Sequence, residues 1–250
     1  MPDAPLFISV LLTFLLAGTI KGVIGLGLPT VSLTLLTLLA DLPTAMVLML
    51  LPSLVTNLWQ AFAGSHAREA IQRLWPLLLS AGGTVFVGGL FFSQLRLDLL
   101  SALLGLLILF YALASLAGWQ LPLDHTNEKR EGWVVGTING VLTGLTGSSV
   151  VPGVMYLQAL DMPRQMFIQS MGLLFSVSTL ALAISLWLNN LLHESLTYLS
   201  FWAVFPAVLG MPIGQWLSRR IPDKLFRRAF FISLAVMGTF VLLRSSLQLL

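Results

Sequence analysis

The sequence predicts an all-α polytopic membrane protein, with about eight transmembrane helices in two similar halves that each begin with a glycine-broken helix. The first observation behind this prediction is composition. Hydrophobic residues make up 57% of the chain and charged residues only 9%, whereas a soluble domain carries about 25% charged residues. So few charges cannot cover a water-facing surface, so we expect the lipid bilayer to surround most of the chain.

The second observation is an internal repeat. The segment GTIKGV at 18–23 returns as GTINGV at 136–141, and the two copies differ only where Lys21 is replaced by Asn139. The segment DLP at 41–43 returns as DMP at 161–163. Doubled apolar segments interrupted by glycine are typical of transporters built from internal repeats.

Charges and prolines divide the chain into eight apolar spans of about the length that crosses a bilayer. They cover about 6–40, 43–64, 74–93, 99–120, 133–160, 163–188, 196–217 and 225–247. We therefore predict a first repeat over 1–123, a polar linker over 124–131 and a second repeat over 132–250, with about four spans in each repeat. Four spans per half make the repeats parallel, but the first span is too long for one straight helix. A re-entrant segment at the glycines would make the count odd and the repeats inverted, so both topologies remain open.

Loop charges set the predicted orientation. With eight spans, seven Lys and Arg residues lie in the loops on one side and five on the other, which favours both termini outside the cytoplasm. The cluster between Arg219 and Arg228 contributes most of this difference. The apolar run that starts at Leu6 lacks the positive region of a signal peptide, so we interpret it as a retained membrane helix.

Lys21 is the only clear charge far from a predicted span end. An ammonium at the bilayer centre costs about 2.5 to 3.5 kcal/mol on insertion scales, so it usually faces a cavity or a partner. The alternative is that Lys21 reaches an interface along its flexible stem. Asn139 occupies the same position in the second half, so we expect the two residues to face each other across the pseudo-symmetry axis.

The other ionisable groups strengthen this interpretation. All ten carboxylates and all three histidines lie in predicted termini, loops or span ends. No buried acid or imidazole is then available as an obvious proton relay. A positive charge without a buried negative counterpart favours an anion over a cation as the ligand.

Two explanations compete for the glycines. Glycines four residues apart give a smooth helix face for close packing, which fits Gly18 with Gly22, and Gly136 with Gly140 and Gly144. The segments 25–29 and 146–152 combine glycine with proline and are typical of helix breaks, which persist at membrane depth only where they are buried or line a cavity. We expect packing before each break and an anion-binding helix end at it.

These patterns together define the predicted substrate-binding residues. They are Lys21, Asn139, Gly25, Gly27, Gly144, Gly147, Ser148, Ser149, Thr19, Thr137, Asn57 and Gln169. For Asn57 and Gln169 the alternative is ordinary interhelical hydrogen bonding, which averages about 0.6 kcal/mol. With no cysteine in the chain, thiolate metal sites and cysteine nucleophiles are excluded, and we predict neither a catalytic residue, nor a metal, nor a cofactor.

The sequence resembles the sulfite exporter TauE/SafE family, also called the TSUP permeases. The resemblance rests on GTIKGVIGLG at 18–27, on the Leu42-Pro43 step that follows it, and on the repetition of both. It implies a multi-pass permease of the inner membrane with seven to nine spans, and a substrate such as sulfite, a sulfonate, sulfoacetate or a related organic anion. Many members carry three glycines where this chain has Gly27-Leu28-Pro29 and Gly147-Ser148-Ser149, so the resemblance leaves the binding turn and the substrate open.

Several functions remain as alternatives. A transporter of a small anion fits the pattern best, with no nucleic-acid partner and with a homodimer left open. An anion channel would carry the same features. An intramembrane enzyme would need a base beside Ser148 or Ser149, for which only Lys21 is available, and a non-transporting assembly subunit would not need two broken helices. Direction and coupling ion do not follow from the sequence.

Overall fold

The computed structural model describes residues 4–92, 94–123, 127–220 and 222–248. These residues form ten α-helices and no strand. The helices are α1 (Ala4–Ile24), α2 (Leu28–Leu39), α3 (Leu42–Phe62), α4 (Ala67–Phe92), α5 (Leu97–Leu116), α6 (Glu128–Thr146), α7 (Gly153–Ala159), α8 (Arg164–Leu188), α9 (Glu194–Ser218) and α10 (Asp223–Leu247).

The predicted fold class is confirmed. Seven of the described helices, all except α2, α6 and α7, are long and apolar enough to cross a membrane. The predicted span 133–160 is divided between α6 and the short α7, and the predicted span 6–40 is divided between α1 and α2. The glycine breaks therefore end a helix in each half, and each break is followed by a short helix.

The predicted spans leave residues 65–73 and 218–224 as polar loops, and both expectations are wrong at the C-terminal end of the loop. Arg68, Glu69 and Arg73 lie in the first turns of α4, and Lys224 belongs to α10. Arg, Lys, Glu and Gln are good helix formers, so these helices extend beyond their apolar segments. The prediction that all histidines lie in loops holds for His66 and His193, which each precede a helix, while His125 lies outside the described residues.

The chain forms two compact units, which are described separately. The first unit contains α1, α2, α5, α9 and α10, with α3 up to Ser53. In this unit α1 packs on α9, and α5 packs on α10. The second unit contains α4, α6, α7 and α8, with α3 from Leu54, and α4 packs on both α6 and α8. Each unit thus draws helices from both sequence halves, while the repeat boundaries themselves stay a prediction.

Glycine makes the closest helix contacts in both units. In the first unit, a Cβ added at Gly18 would collide with the backbone carbonyl of Ala207 on α9, and one added at Gly22 would collide with that of Met211. In the second unit, a Cβ at Gly144 would collide with the carbonyl of Val85 on α4. Small residues allow backbones this close together where lipid provides no hydrophobic drive. The packing interpretation of the glycines before each break is confirmed.

A proline inside α3 shows how a buried backbone group is satisfied in the first unit. Pro52 has no N–H, so the carbonyl of Leu48 loses its normal helical partner. The hydroxyl of Ser200 on α9 donates to this carbonyl at 2.9 Å and accepts the N–H of Leu51 at 3.3 Å. Ser200 thereby restores the hydrogen bonding that a helix needs when no water is present.

Candidate functional site

The break in the second unit begins where α6 ends. Gly147 adopts a left-handed conformation with φ of 75°, and its N–H donates to the carbonyl of Thr143 at 2.7 Å. Glycine is the residue that reaches this conformation at no steric cost. The chain then turns through Ser148 and Ser149, both buried, before α7 starts.

Asn139 connects the two sides of this break. Its side chain is fully buried, and its Oδ1 accepts the N–H of Gly153, the first residue of α7, at 3.0 Å. Since an amide oxygen accepts and an amide nitrogen donates, this bond fixes which way the amide faces. Nδ2 is buried and has no hydrogen-bond partner among the residues that the structure describes. Asn139 therefore holds the start of α7 and presents a donor that the described part of the protein does not use.

Hydroxyl groups surround the same turn. Thr143 Oγ1 donates to the carbonyl of Asn139 at 2.7 Å and lies 3.0 Å from the hydroxyl of Ser149. Thr146 Oγ1 accepts the N–H of Ser148 at 3.2 Å. We name this set, Asn139 with Thr143, Thr146, Ser148 and Ser149, the polar turn. All its side chains are buried, and hydrogen bonds away from bulk solvent are electrostatically stronger than in water.

The far end of α7 is also fixed. Arg73 on α4 makes a two-pronged ion pair with Glu128 on α6, with nitrogen–oxygen distances of 2.9 and 2.6 Å. The same guanidinium donates to the carbonyl of Leu160, which follows α7, at 3.2 Å. Tyr156 on α7 donates to the carbonyl of Glu128 at 2.8 Å. These bonds anchor α7 at its C-terminal end, while Asn139 holds its start.

The break in the first unit contains Lys21. Gly25 and Gly27 have φ of 83° and 110°, and the N–H of Gly25 donates to the carbonyl of Lys21 at 2.7 Å. A Cβ on Gly27 would lie 3.2 Å from Phe230, so this position also lacks room for a side chain. Lys21 is only 2% exposed, and it is the only buried charged side chain among the described residues.

The helix after this break is rich in hydroxyls that sequence reasoning missed. Thr30, Ser32, Thr34 and Thr37 on α2 are all buried. Ser32 and Thr34 donate to carbonyls one turn earlier, at 2.7 and 2.6 Å. The segment LPTVSLTLLTLL offered a signal, because polar residues recur along a helix that is otherwise apolar.

The remaining predicted residues lie away from the turns themselves. Thr19 and Thr137 donate to the carbonyl one turn earlier in their own helices, and Thr137 is exposed. Gly144 lies in the contact of α6 with α4. Asn57 is fully buried on the part of α3 that belongs to the second unit.

Gln169 has a connecting role within the second unit. Its Nε2 donates to the carbonyl of Ala61 at 2.9 Å, and its Oε1 accepts the N–H of His66 at 2.8 Å. Both functions of this amide are therefore used to join α8 to the connection between α3 and α4. This is the interhelical alternative considered for Gln169.

The serine hydroxyls of the polar turn have neutral neighbours in the described structure. The hydroxyl partner of Ser149 is Thr143, which is not a base. No group of three or more His, Asp or Glu side chains that could hold a metal occurs in the described residues. A nucleophilic serine needs a positioned base, and the polar turn is instead a set of neutral donors and acceptors.

The described helices and their two buried breaks define a multi-pass membrane protein. A model of the family described as sulfite exporter TauE/SafE matches residues 10–241, nearly the whole chain, and the chain belongs to this family of membrane transporters. Comparison with curated proteins gave no significant match, and comparison with solved structures gave none either.

Proposed function

We propose that the protein is a permease of the inner cell membrane that moves a small anion, namely sulfite, a sulfonate or a related organic anion. The family supports transport in general. The choice of an anion rests on the residues at the two breaks, and the choice of sulfite or a sulfonate rests on the description of the family.

The observation that carries the proposal is the buried amide of Asn139. Its orientation is fixed by the bond from Gly153, so Nδ2 remains as a donor without a described partner. Leaving a buried donor unpaired costs about 1 to 3 kcal/mol. A ligand oxygen would remove this cost, and sulfite, sulfonate and carboxylate groups all carry such oxygens.

Lys21 supports the sign of the ligand charge. It is buried in an apolar helix, one turn before the glycines at which α1 ends. An anionic substrate would complement the charge of this buried cation. We assign Lys21 to charge recognition and Asn139 to hydrogen bonding, with no contact assumed between them.

An anion channel is the second candidate, since the same groups would line a conducting path. The buried state of the polar turn favours a transporter, because a channel that is open needs a hydrated route. An intramembrane enzyme or an assembly subunit has no specific observation in its favour.

Ligand binding to purified protein tests the proposal. Thermal unfolding would be followed with sulfite, sulfate, thiosulfate, sulfoacetate, taurine and small carboxylates, and with small alkylamines as cationic controls. The proteins would be the wild type, Lys21→Ala and Asn139→Leu. A ligand in hundredfold excess over its dissociation constant stabilises the folded state by about 2.7 kcal/mol. Arg68→Ala, an exposed cation on α4, is the control.

We expect one class of anion to raise the unfolding temperature of the wild type and of Arg68→Ala, and to have no effect on the other two variants. An anion that stabilises all four proteins equally would contradict the site. Stabilisation by amines alone would contradict the sign of the charge.

A further inference from the structure

A basic groove lies within the first unit, where α5 ends and α10 begins. Its volume is about 580 Å³, and its lining residues are Ser115, Leu116, Lys224, Arg227, Arg228, Phe231 and Ile232. Three of these seven side chains are cations, and none of these described lining residues is acidic. The groove is therefore a place of positive potential that is separate from both helix breaks.

The order of residues along α10 gives the groove two distinct parts. Arg227 and Arg228 lie three and four residues after Lys224, so each is its neighbour on the helix surface. Phe231 and Ile232 continue the same face one turn further on. Like charges at this spacing repel one another, so an anion between them would lower the energy of the cluster.

The position along the helices matches the edge of a bilayer. The candidate membrane spans run from Leu97 to Leu116 in α5 and from Lys224 to Leu247 in α10. The cations thus lie at the start of one span and beside the end of the other, and the apolar residues lie deeper. Nearby, the guanidinium of Arg220 stacks 4.0 Å above the ring of Trp216, an arrangement suited to the interface between lipid and water.

We propose that this groove binds the headgroup of an anionic phospholipid, with the phosphate against Lys224, Arg227 and Arg228 and the acyl chains beside the exposed Ile232, next to the buried Phe231. Positive charge over an apolar strip complements a lipid, which carries both features in the same order. A free inorganic anion would use only the cations. Anionic lipids give a membrane a negative surface that attracts such a basic cluster.

The test uses the full-length protein in detergent and native mass spectrometry, with phosphatidylglycerol and phosphatidylcholine as probes. Lys224→Gln, Arg227→Gln and Arg228→Gln are combined in one variant. The matched control is Arg68→Gln, Lys129→Gln and Arg130→Gln, which removes the same charge from exposed positions on α4 and α6. Single Arg227→Gln and the charge-retaining Arg227→Lys are tested as well, in case the triple variant does not fold.

Each cation near a membrane surface changes the affinity for anionic lipid by about fivefold. We therefore expect the triple variant to bind the first phosphatidylglycerol at least tenfold more weakly, and Arg227→Gln to bind it about fivefold more weakly. The control variant, Arg227→Lys and all phosphatidylcholine affinities should stay within about twofold of the wild type.

Two results would overturn the proposal. One is wild-type affinity for phosphatidylglycerol in the groove variants. The other is equal binding of the soluble headgroup glycerophosphoglycerol, or displacement of the lipid by inorganic phosphate, because either would identify a site for free anions. Since the groove is tested by lipid binding, its failure would leave the proposed transport function unaffected.

Discussion

Gly88 and Gly83 on α4 allow a matched test of the glycine packing in the second unit. A Cβ added at Gly83 meets open space, whereas one added at Gly88 would lie 2.9 Å from the Cα of Gly144 and closer still to the carbonyl of Val141. An ordinary contact needs about 3.4 Å or more. The nearer carbonyl of Val141 sets the shift, so in Gly88→Ala α4 and α6 must separate by roughly an ångström, which forfeits about half of each affected van der Waals contact.

The expected magnitude follows from two opposing terms. Replacing glycine by alanine inside a helix stabilises it by about 1 kcal/mol, and overpacking a tight contact destabilises by about 1 to 3 kcal/mol. The helix-forming term is common to both variants and cancels in their comparison. We therefore expect Gly88→Ala to be less stable than Gly83→Ala by about 1 to 3 kcal/mol, with Gly83→Ala equal to the wild type or above it.

Equilibrium unfolding by sodium dodecyl sulfate in mixed micelles measures this difference, with far-ultraviolet circular dichroism as the signal. The wild type, the two single variants and the double variant should be unfolded side by side. Equal free energies of unfolding for Gly88→Ala and Gly83→Ala would refute the close contact of α4 with α6 on which the position of the polar turn depends.

Three further predictions concern residues of the second unit. Asn139→Asp keeps the acceptor for Gly153 but loses the donor unless the new carboxyl is protonated. Anion transport by this variant should therefore be low at neutral pH and should rise relative to the wild type as the pH falls. A ratio of variant to wild-type transport that does not change with pH would count against a donor role. Gln169→Leu removes the side-chain partner of the carbonyl of Ala61 and of the N–H of His66, which costs about 1 to 3 kcal/mol for each group. The free energy of unfolding of this variant should therefore be well below that of the exposed control Gln72→Leu. Arg73→Gln breaks the ion pair with Glu128, in which the Arg73 side chain is 32% exposed and the Glu128 side chain 26% exposed. The loss in stability should be about 1 kcal/mol and larger than the loss in Arg68→Gln. Equal losses in the two variants would show that the pair does not hold the end of α7.

The membrane fold and its two interruptions could be predicted because they depend on local sequence. A shortage of charge requires lipid as solvent, and glycine costs about 1 kcal/mol against alanine within a helix. The glycine and proline signal is not sufficient by itself, because Gly210 and Pro212 lie inside α9 without ending it. Lys21 and Asn139 were found by the repeat, which puts a polar residue at the same point of two apolar helices. The structure buries both side chains.

Residues that act through distant partners could not be predicted. Thr143 belongs to the polar turn because it lies one helical turn after Asn139 and beside Ser149, and nothing in its immediate sequence distinguishes it from Thr137 on the exposed side. Gln169 was predicted either at the substrate or in an interhelical hydrogen bond, and the sequence could not show that its amide bonds two backbone groups from the region around residues 61–66. Such pairings depend on how helices pack, which a single sequence does not record.

Helix ends were misjudged for a related reason. The charged residues after Ser65 break the apolar pattern, so they were assigned to a loop, but Arg68, Glu69 and Arg73 continue α4. Hydropathy marks the boundary of the lipid, whereas helix propensity and capping decide where the helix begins. In this protein the helical extension is what brings Arg73 to Glu128 and to the end of α7.

Anion flux into proteoliposomes tests the central proposal most directly. Purified wild type and Lys21→Met, which keeps the length of the side chain but removes its charge, would be compared using labelled sulfite, with sulfoacetate and taurine as competitors and Arg68→Met as the control. The proposal predicts saturable uptake by the wild type and by Arg68→Met, and at least a hundredfold loss in Lys21→Met without loss of folded protein. Uptake by Lys21→Met at the wild-type rate would contradict the assignment of this buried cation to the transported anion.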